Sequence, residues 1–434
     1  MLDHVLSILI VGLIVGTIAA VRGLQQFIFL YPLFMSYVWT VGGVYFFYHW
    51  ENKSPMPETA PDLNATPFVS IIVPCFDEEP NVRETMASLL AQNYPEFEII
   101  AVNDGSADST GVILDELSAA NPRLRVIHFA ENQGKGLALC MGAMASRGEF
   151  IVCIDGDSLL HPNATAYLVQ PLVSNPRAGA VTGNPRIRTR STLIGCIQVG
   201  EFSSIVGMIK RAQRIYGRIF TVSGVVTAFR KQALQRVGYW SLNMVTEDID
   251  ISWKLQRDHW GILYAPNALC WILMPETLRG LWRQRLRWAQ GGAEVCLKNI
   301  SNLWRWRLRR MWPLLFEYCV SVSWAYAFLL TVVLWAIGLF IPMPEGLYVA
   351  TIFPPAFTGL VLGTTGLIQF ASSIIIESRY EPKLWHQIAW TIWYPAIYWA
   401  IVAATSIVGF PKALAKRRAT RAAWVSPDRG IHQS

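Results

Sequence analysis

Five long apolar segments enclose a polar middle, and that layout limits what this chain can fold into more than any other feature. Leu6 to Val21 and Phe27 to Tyr48 open the chain; Leu315 to Ile341, Leu347 to Ile376 and Leu384 to Phe410 close it. Each approaches or exceeds the roughly 20 residues that carry a helix across a bilayer. A cleaved leader is the alternative for the first, but no basic stretch precedes it and a second apolar segment follows at once. The pair therefore reads as a membrane hairpin turning near Arg22. Pro354, Pro355 and Pro395 can kink or break the later segments, so the count of five spans is open by one. Composition agrees: 53% of residues are hydrophobic and only 15% charged, against roughly 25% charged in soluble proteins.

Charge is placed as a membrane protein places it. The net charge is +7, and the basic residues gather from Arg279 to Arg310 and from Lys412 to Arg421, beside apolar segments and interleaved with Trp. That suits an anionic lipid face; no nucleic-acid motif accompanies it, so nucleic acid is not an expected partner. Trp304-Arg305-Trp306-Arg307-Leu308-Arg309-Arg310-Met311-Trp312 predicts a helix lying in the interface. The turn from Pro342 to Gly346 has no Lys or Arg and should face outward, which leaves the basic stretch and the polar middle in the cytosol. Three later spans would carry Lys416-Arg417-Arg418 outward against that rule, so either one segment does not cross or the rule fails here. Seven cysteines without a CxxC pair argue against a disulfide framework or a zinc site.

The expected organisation is a transmembrane hairpin over 1–50, a Pro-rich linker over 51–67, a cytosolic domain over 68–300, an interface helix over 301–314, membrane segments over 315–411 and a basic tail over 412–434. Within the middle, Val69-Ser70-Ile71-Ile72-Val73 is a short apolar run of the kind buried on both faces of a sheet. Strands at Phe97 to Val102, Leu124 to Phe129 and Phe150 to Ile154 alternate with helices at Arg83 to Gln92, at Thr110 to Ala119 and after Gly136. This α/β alternation predicts a doubly wound, mostly parallel sheet, with ligands at the carboxyl ends of its strands.

Acidic residues stand at those ends: Asp77, Glu78 and Glu79 after the first strand, Asp104 after the second, and Asp155-Gly156-Asp157 after the fourth. There is no GxGxxG and no phosphate loop, since Gly134-Lys135-Gly136 lacks the upstream glycine. Two carboxylates beside a diphosphate repel it, by roughly 4 kcal/mol per pair at about 4 Å and an effective dielectric near 20. A divalent ion, Mg²⁺ or Mn²⁺, held by Asp155 and Asp157 reverses that sign and stabilises a departing nucleoside diphosphate; a surface turn is the alternative. Pro74, Asp77, Glu79, Asp104, Lys135 and Asp155 are the candidates for the donor pocket. Asp104 would accept from the base or ribose, or else cap the turn before Thr110, which also accounts for Asp108. Glu78 or Glu79 fits equally in a helix's first turn, and Lys135 reads either as a phosphate contact or as a solvated lysine.

Thr246-Glu247-Asp248 opens a helical pattern running to Gln256. Sugar transfer to a hydroxyl needs a base within about 3 Å of it, and Asp248, with Glu247 beside it, is the catalytic candidate. A single in-line displacement needs no second acid, because the nucleoside diphosphate leaves with metal help. Gln284-Arg285-Leu286-Arg287-Trp288 completes the set: Arg287 for diphosphate oxygens, Trp288 for the face of an acceptor sugar. The alternative is a basic interface helix, a part assigned to Trp282, Arg283 and Arg285.

With Asp104, Asp155-x-Asp157, Thr246-Glu247-Asp248 and Gln284-x-x-Arg287-Trp288 met in this order, the chain resembles the processive family 2 glycosyltransferases, the group of cellulose, hyaluronan and chitin synthases. Gly183-Asn184-Pro185-Arg186-Ile187-Arg188-Thr189-Arg190, Gln198-Val199-Gly200-Glu201-Phe202 and Thr221-Val222-Ser223-Gly224-Val225-Val226 make it most similar to the bacterial biofilm-matrix synthases of poly-β-1,6-N-acetyl-D-glucosamine. That resemblance implies a GT-A-type domain between membrane helices and UDP-N-acetylglucosamine as donor, with inversion at its anomeric carbon. Asp104 would contact the uridine, Asp155 and Asp157 the metal, and Gln284, Arg287 and Trp288 the diphosphate and the end of the growing polysaccharide. It also implies help with export, a bacterial inner-membrane location, a small membrane partner subunit and activation by cyclic di-GMP, although no separate domain for that nucleotide is visible. The chain departs from the family at Val73-Pro74-Cys75-Phe76-Asp77, where relatives often carry Tyr-Asn before the glutamates; the uracil contact is the point this leaves open. A polyprenyl-phosphate glycosyltransferase that moves one sugar, a synthase of another β-glycan, a nucleotide-binding membrane sensor and a transporter are the rival readings.

Overall fold

The apolar runs between Val69 and Ile154 form one half of a single eight-stranded sheet in the computed structural model, which describes residues 2–20, 23–63, 65–344, 347–352, 356–387 and 394–416. The chain enters through two helices, α1 (Leu2–Ala20) and α2 (Leu24–Phe46). It then builds β1 (Val69–Cys75), α3 (Val82–Leu90), β2 (Phe97–Asn103), α4 (Thr110–Ala120), β3 (Leu124–His128), α5 (Lys135–Ala145) and β4 (Phe150–Ile154). Every residue of β1, β2 and β4 is buried, as continuous apolar runs demand when helices cover both faces. On one face Met86 and Leu89 of α3 and Leu114 of α4 join the core; on the other Leu139 and Ala143 of α5 do so.

The second half supplies the antiparallel pairs of the expected, mostly parallel sheet. After β5 (Leu159–Leu160) and α6 (Ala164–Ser174) come β6 (Ala178–Ile187), α7 (Leu193–Glu201), α8 (Met208–Ile215), β7 (Val226–Arg230), α9 (Lys231–Val237), α10 (Glu247–Arg257) and β8 (Gly261–Ile272). The strand order is β3-β2-β1-β4-β7-β6-β8-β5. β3, β2, β1 and β4 are parallel, but β7 runs antiparallel to both β4 and β6, and β5 antiparallel to β8. The first four strands are joined by one-helix crossovers, which force parallel pairing. Between β6 and β7 the chain instead makes a long excursion through α7 and α8, and it re-enters the sheet in the opposite sense. Ile72 lies beside Cys153 and Cys75 beside Asn103, so the ends of β1, β2 and β4 share one edge.

The chain then leaves through α11 (Leu278–Leu303), α12 (Trp312–Gly338), α13 (Ala356–Glu377) and α14 (Tyr394–Ala415). By length and composition four helical stretches among the described residues could cross a membrane: Leu24–Glu51, Leu193–Ile215, Trp306–Gly338 and Phe357–Glu377; Trp399–Ala415 is apolar but shorter. Leu193–Ile215, absent from the spans expected from sequence, has 59% of its apolar window buried. It packs on α2, where Gly42 and Gly43 leave room for Ala212 and Met208. The expected interface helix is a short turn, Trp306–Met311, with Trp304 and Trp306 exposed.

Of the segment expected to cross from Leu384 to Phe410, residues 388–393 lie outside the described residues. Leu384 is fully buried in the α/β core, and at the far end Lys416 Nζ donates to Asn243 O at 2.8 Å and pairs with Glu294 at 2.9 Å. Both ends of the segment therefore contact the domain, and Lys416 lies beside the loop that leads into Thr246-Glu247-Asp248. Arg22, Gly346, Pro354, Pro355, Arg417, Arg418 and Arg421 lie outside the described residues.

A buried ionic knot ties membrane helices to sheet. Arg211 of α8, wholly inaccessible, grips Glu51 through Nε and Nη2 at 2.7 and 2.6 Å and pairs with Glu377 at the end of α13. Glu377 and Glu381 in turn hold Arg186 of β6, each at 2.7 Å. Arg211→Met would strand buried Glu51 without a counter-charge and leave Glu377 with Arg186 alone, a loss of about 3–5 kcal/mol. Thermal unfolding of the full chain in detergent should show a large drop in Tm; an unchanged Tm would mean the knot adds nothing to stability.

Candidate active site

The strand-end residues sort into two groups. Pro74 is buried within β1 beside Val102. Asp77, with a positive φ of 53°, accepts from Ala107 N–H at 2.9 Å, and its own N–H donates to Ser106 Oγ at 3.1 Å. Glu79 is exposed and accepts from Ser109 N–H at 3.1 Å, just before α4. Asp104 is fully buried, and its two carboxylate oxygens accept from Gln133 N–H at 2.8 Å and Gly134 N–H at 2.9 Å. Burial pushes its carboxyl upward and those two N–H groups pull it back, with burial ahead. Gly105 makes the arrangement possible: φ is +67°, and a Cβ there would meet the Glu131 backbone at 2.4 Å. Asp104 thus fixes the loop that delivers Lys135, the first residue of α5. Among the described residues, these four lie outside the lining of the cavity into which the other candidates point.

Eight candidates do line it: Lys135, Asp155, Asp157, Glu247, Asp248, Gln284, Arg287 and Trp288. The cavity measures about 510 Å³, well suited to a small-molecule site. Lys135 Nζ lies 2.6 Å from Asp155 Oδ1 and 3.2 Å from Glu247 Oε1. Burial alone would lower its pKa, but the two carboxylates outweigh that and hold it raised. Asp155 is itself pushed up, by burial first, against the pull of Lys135.

Adjacent carboxylates on α10 are driven apart. Burial pushes Glu247 up, but Lys135, its own backbone N–H and Arg287 outweigh this and leave it lowered. Asp248 is pushed up to about 6 by burial and then by the charge of Glu247. A carboxylate that stays ionised beside one that titrates near neutrality is how acid–base roles are divided within a site. The pair is held against α11 by close packing, since a Cβ on Gly291 would lie 2.1 Å from Thr246 Oγ1. Glu294 of α11 also accepts from Val245 N–H at 3.3 Å, under the grip of Lys416.

Arg285 corrects the sequence reading. It does not face an interface: its side chain is buried, ion-paired to buried Glu201 at 2.5 Å, with the guanidinium 4.2 Å over the Trp288 ring. Trp282 and Arg283 are exposed, as an interface role requires. Glu201 and Lys210 were missed, although both line the cavity. Lys210 Nζ donates to Ser223 Oγ at 2.5 Å and to Thr182 Oγ1 at 3.3 Å, beneath the Ser223-Gly224 turn. The signal for both was available: ionisable residues in an otherwise apolar stretch need buried partners.

The donor set suits a divalent ion that shares its ligands with a substrate. No cluster of three or more His, Cys, Asp or Glu able to cage a metal occurs among the described residues. Asp155 and Asp157 can supply one or two carboxylates, and phosphate oxygens commonly complete such a shell. Asp155 Oδ1 is buried and makes no properly angled hydrogen bond, leaving the Lys135 ammonium as its cation.

A family model described as "Glycosyltransferase like family 2" matches residues 66–291. A poly-β-1,6-N-acetyl-D-glucosamine synthase of Staphylococcus epidermidis is 40% identical over 409 residues, 93% of this chain and 98% of that protein. One from Staphylococcus aureus strain COL is 38% identical over 414 residues, 94% and 99% of the two chains. A mannosyltransferase from Pyrobaculum calidifontis, solved with GDP-Man and Mn²⁺, superposes with a TM-score of 0.62 at 20% identity, covering 92% of this chain and 99% of its own. That last likeness speaks to fold alone.

Proposed function

This chain belongs to the family 2 glycosyltransferases, and on that footing we propose that it polymerises N-acetylglucosamine from UDP-N-acetylglucosamine into β-1,6-linked poly-N-acetylglucosamine with inversion. The relatives named above carry that activity in their names and match nearly end to end. The observation that carries the reading is the single cavity that gathers the acidic residues of β4 and α10 with Gln284, Arg287 and Trp288 of α11. Asp248 takes the proton of the attacking hydroxyl. Glu247 and Lys135 stay charged and hold the reacting groups in place, and Arg287 faces the leaving diphosphate. Asp155 and Asp157 would hold Mg²⁺ or Mn²⁺, which when bound neutralises that diphosphate.

Beyond Trp288 the cavity continues between membrane helices, where Tyr31, Tyr318, Trp324 and Trp399 line it. Aromatic walls suit the apolar faces of sugar rings, and this supports a path by which the product leaves across the bacterial inner membrane, with the α/β domain cytosolic. A small membrane subunit and activation by cyclic di-GMP complete the proposal on resemblance alone.

Membranes containing the protein, given UDP-N-acetylglucosamine, should yield long polymer that a β-1,6-specific hydrolase degrades. A single sugar on a lipid would sink the reading in favour of the polyprenyl-phosphate enzyme. Trp288→Ala should raise the acceptor KM by roughly tenfold or more, as loss of a stacked aromatic face predicts, and leave the donor KM nearly unchanged. An equal rise in both would make Trp288 a structural residue.

A further inference from the structure

Two buried polar atoms beside Trp288 have no partner: Gln284 Oε1, an acceptor, and Arg285 Nη1, a donor. Both side chains line the cavity, and at three and four residues before Trp288 they share its side of α11. The other terminal nitrogen of Arg285 is committed. Its Nη2 donates to Glu201 Oε2 at 2.5 Å, and both side chains are only 6% exposed. Burying an ion pair is costly, and leaving one guanidinium N–H unsatisfied adds to that cost. The guanidinium also covers one face of the Trp288 indole at 4.2 Å, so a ligand ring can stack only on the other.

An unmet donor and an unmet acceptor beside a sugar-stacking face are complementary to an amide, which offers one carbonyl and one N–H. We propose that Arg285, held in place by Glu201, and Gln284 read the acetamido group of the acceptor sugar lying on Trp288. Arg285 Nη1 donates to the amide carbonyl, and Gln284 Oε1 accepts from the amide N–H. The same arrangement rejects a free amino sugar, because an ammonium would face the guanidinium and would bring no carbonyl. This rests on the reading of the chain as an N-acetylglucosamine polymerase, and it adds an acceptor-specificity element to that reading.

The test uses the full-length protein in detergent, UDP-N-acetylglucosamine as donor, and two short β-1,6-linked acceptors. One is fully acetylated; the other lacks the acetyl group on its terminal sugar. The native enzyme should favour the acetylated acceptor by roughly tenfold or more in kcat/KM, as expected where a site built for hydrogen bonding loses its partner. Arg285→Met should bring that ratio to within about twofold, and Gln284→Met should lower it severalfold, both with the donor KM unchanged. If Arg285→Met does not fold, Gln284→Met carries the test alone. Variants that lose activity but keep the native ratio overturn the inference, as does a native enzyme without preference. A native enzyme that extends neither acceptor brings down the polymerase reading and this inference with it, an outcome distinct from both.

Discussion

Asp248→Asn should lower UDP release and polymer formation by roughly a hundred- to ten-thousand-fold, the range set by loss of a general base, while the protein stays folded in membranes. Asparagine keeps the shape and cannot take a proton. The choice of Asp248 over its neighbour rests on their opposed environments. Glu247 lies 3.2 Å from the Lys135 ammonium and is held ionised; it binds a proton too weakly to extract one from a sugar hydroxyl. Asp248 is pushed up to about 6, close to working pH, where a base is both ionised and avid enough. The ionised form is the active one, so kcat/KM for the native enzyme should be flat above about pH 7 and fall as pH drops through about 6. A limb lying near pH 4, or an Asp248→Asn enzyme with native turnover, would remove this residue from the role.

The sequence was legible where local pattern and tertiary structure agree. Val69 to Ile154 reads as buried strands between helices because each strand is covered on both faces and each crossover is a single helix, so continuous apolarity, length and turn residues carry the answer. The strand ends then follow, and with them Asp155, Asp157 and the turn at Asp104. What could not be read was what depends on long-range partners. β7 is five residues long and β5 two, too short for periodicity, and only pairing gives them direction. Arg285 sits in a run of basic residues that suggests an interface, and its burial depends on Glu201, 84 residues away. Asp104 shows a third kind of limit. Its position marks it as important, but only the fold reveals that both of its oxygens hold the loop of Lys135.

The membrane topology teaches the same lesson through charge. Hydropathy marks Leu384 to Phe410 as one more span, yet loop charges object to the tail it would place outside. A leucine in the α/β core and a lysine on Glu294 attach the two ends of that segment to the domain. Lys416 at the same time steadies the strand of chain that leads into Thr246-Glu247-Asp248. A basic residue that breaks the orientation rule on paper is thus part of what positions the loop before the candidate base, Asp248.

Removing divalent metal should abolish UDP release and also weaken UDP binding itself, and the reason is the charge balance of the cavity. Asp155, Asp157, Glu201, Glu247, Asp248 and Glu317 line it with Lys135, Lys210, Arg285 and Arg287; with all six carboxylates ionised and all four cations charged, two negative charges remain. A nucleoside diphosphate brings about two more, and each unit pair near 4 Å costs roughly 4 kcal/mol at an effective dielectric near 20. Lys135 cannot offset this, because its ammonium is already shared between Asp155 and Glu247. The two carboxylates after β4 are well placed to hold a divalent ion against the phosphates, and no fully caged site elsewhere among the described residues competes for it. Calorimetric titration of UDP into chelator-treated protein should show binding weakened by roughly a hundredfold or more, given the repulsion just described, and restored by Mg²⁺ or Mn²⁺. Asp157→Asn should show weak UDP binding that the ion no longer rescues. Tight UDP binding and vigorous turnover in metal-free protein would mean that the acidic pair after β4 serves something other than the leaving group.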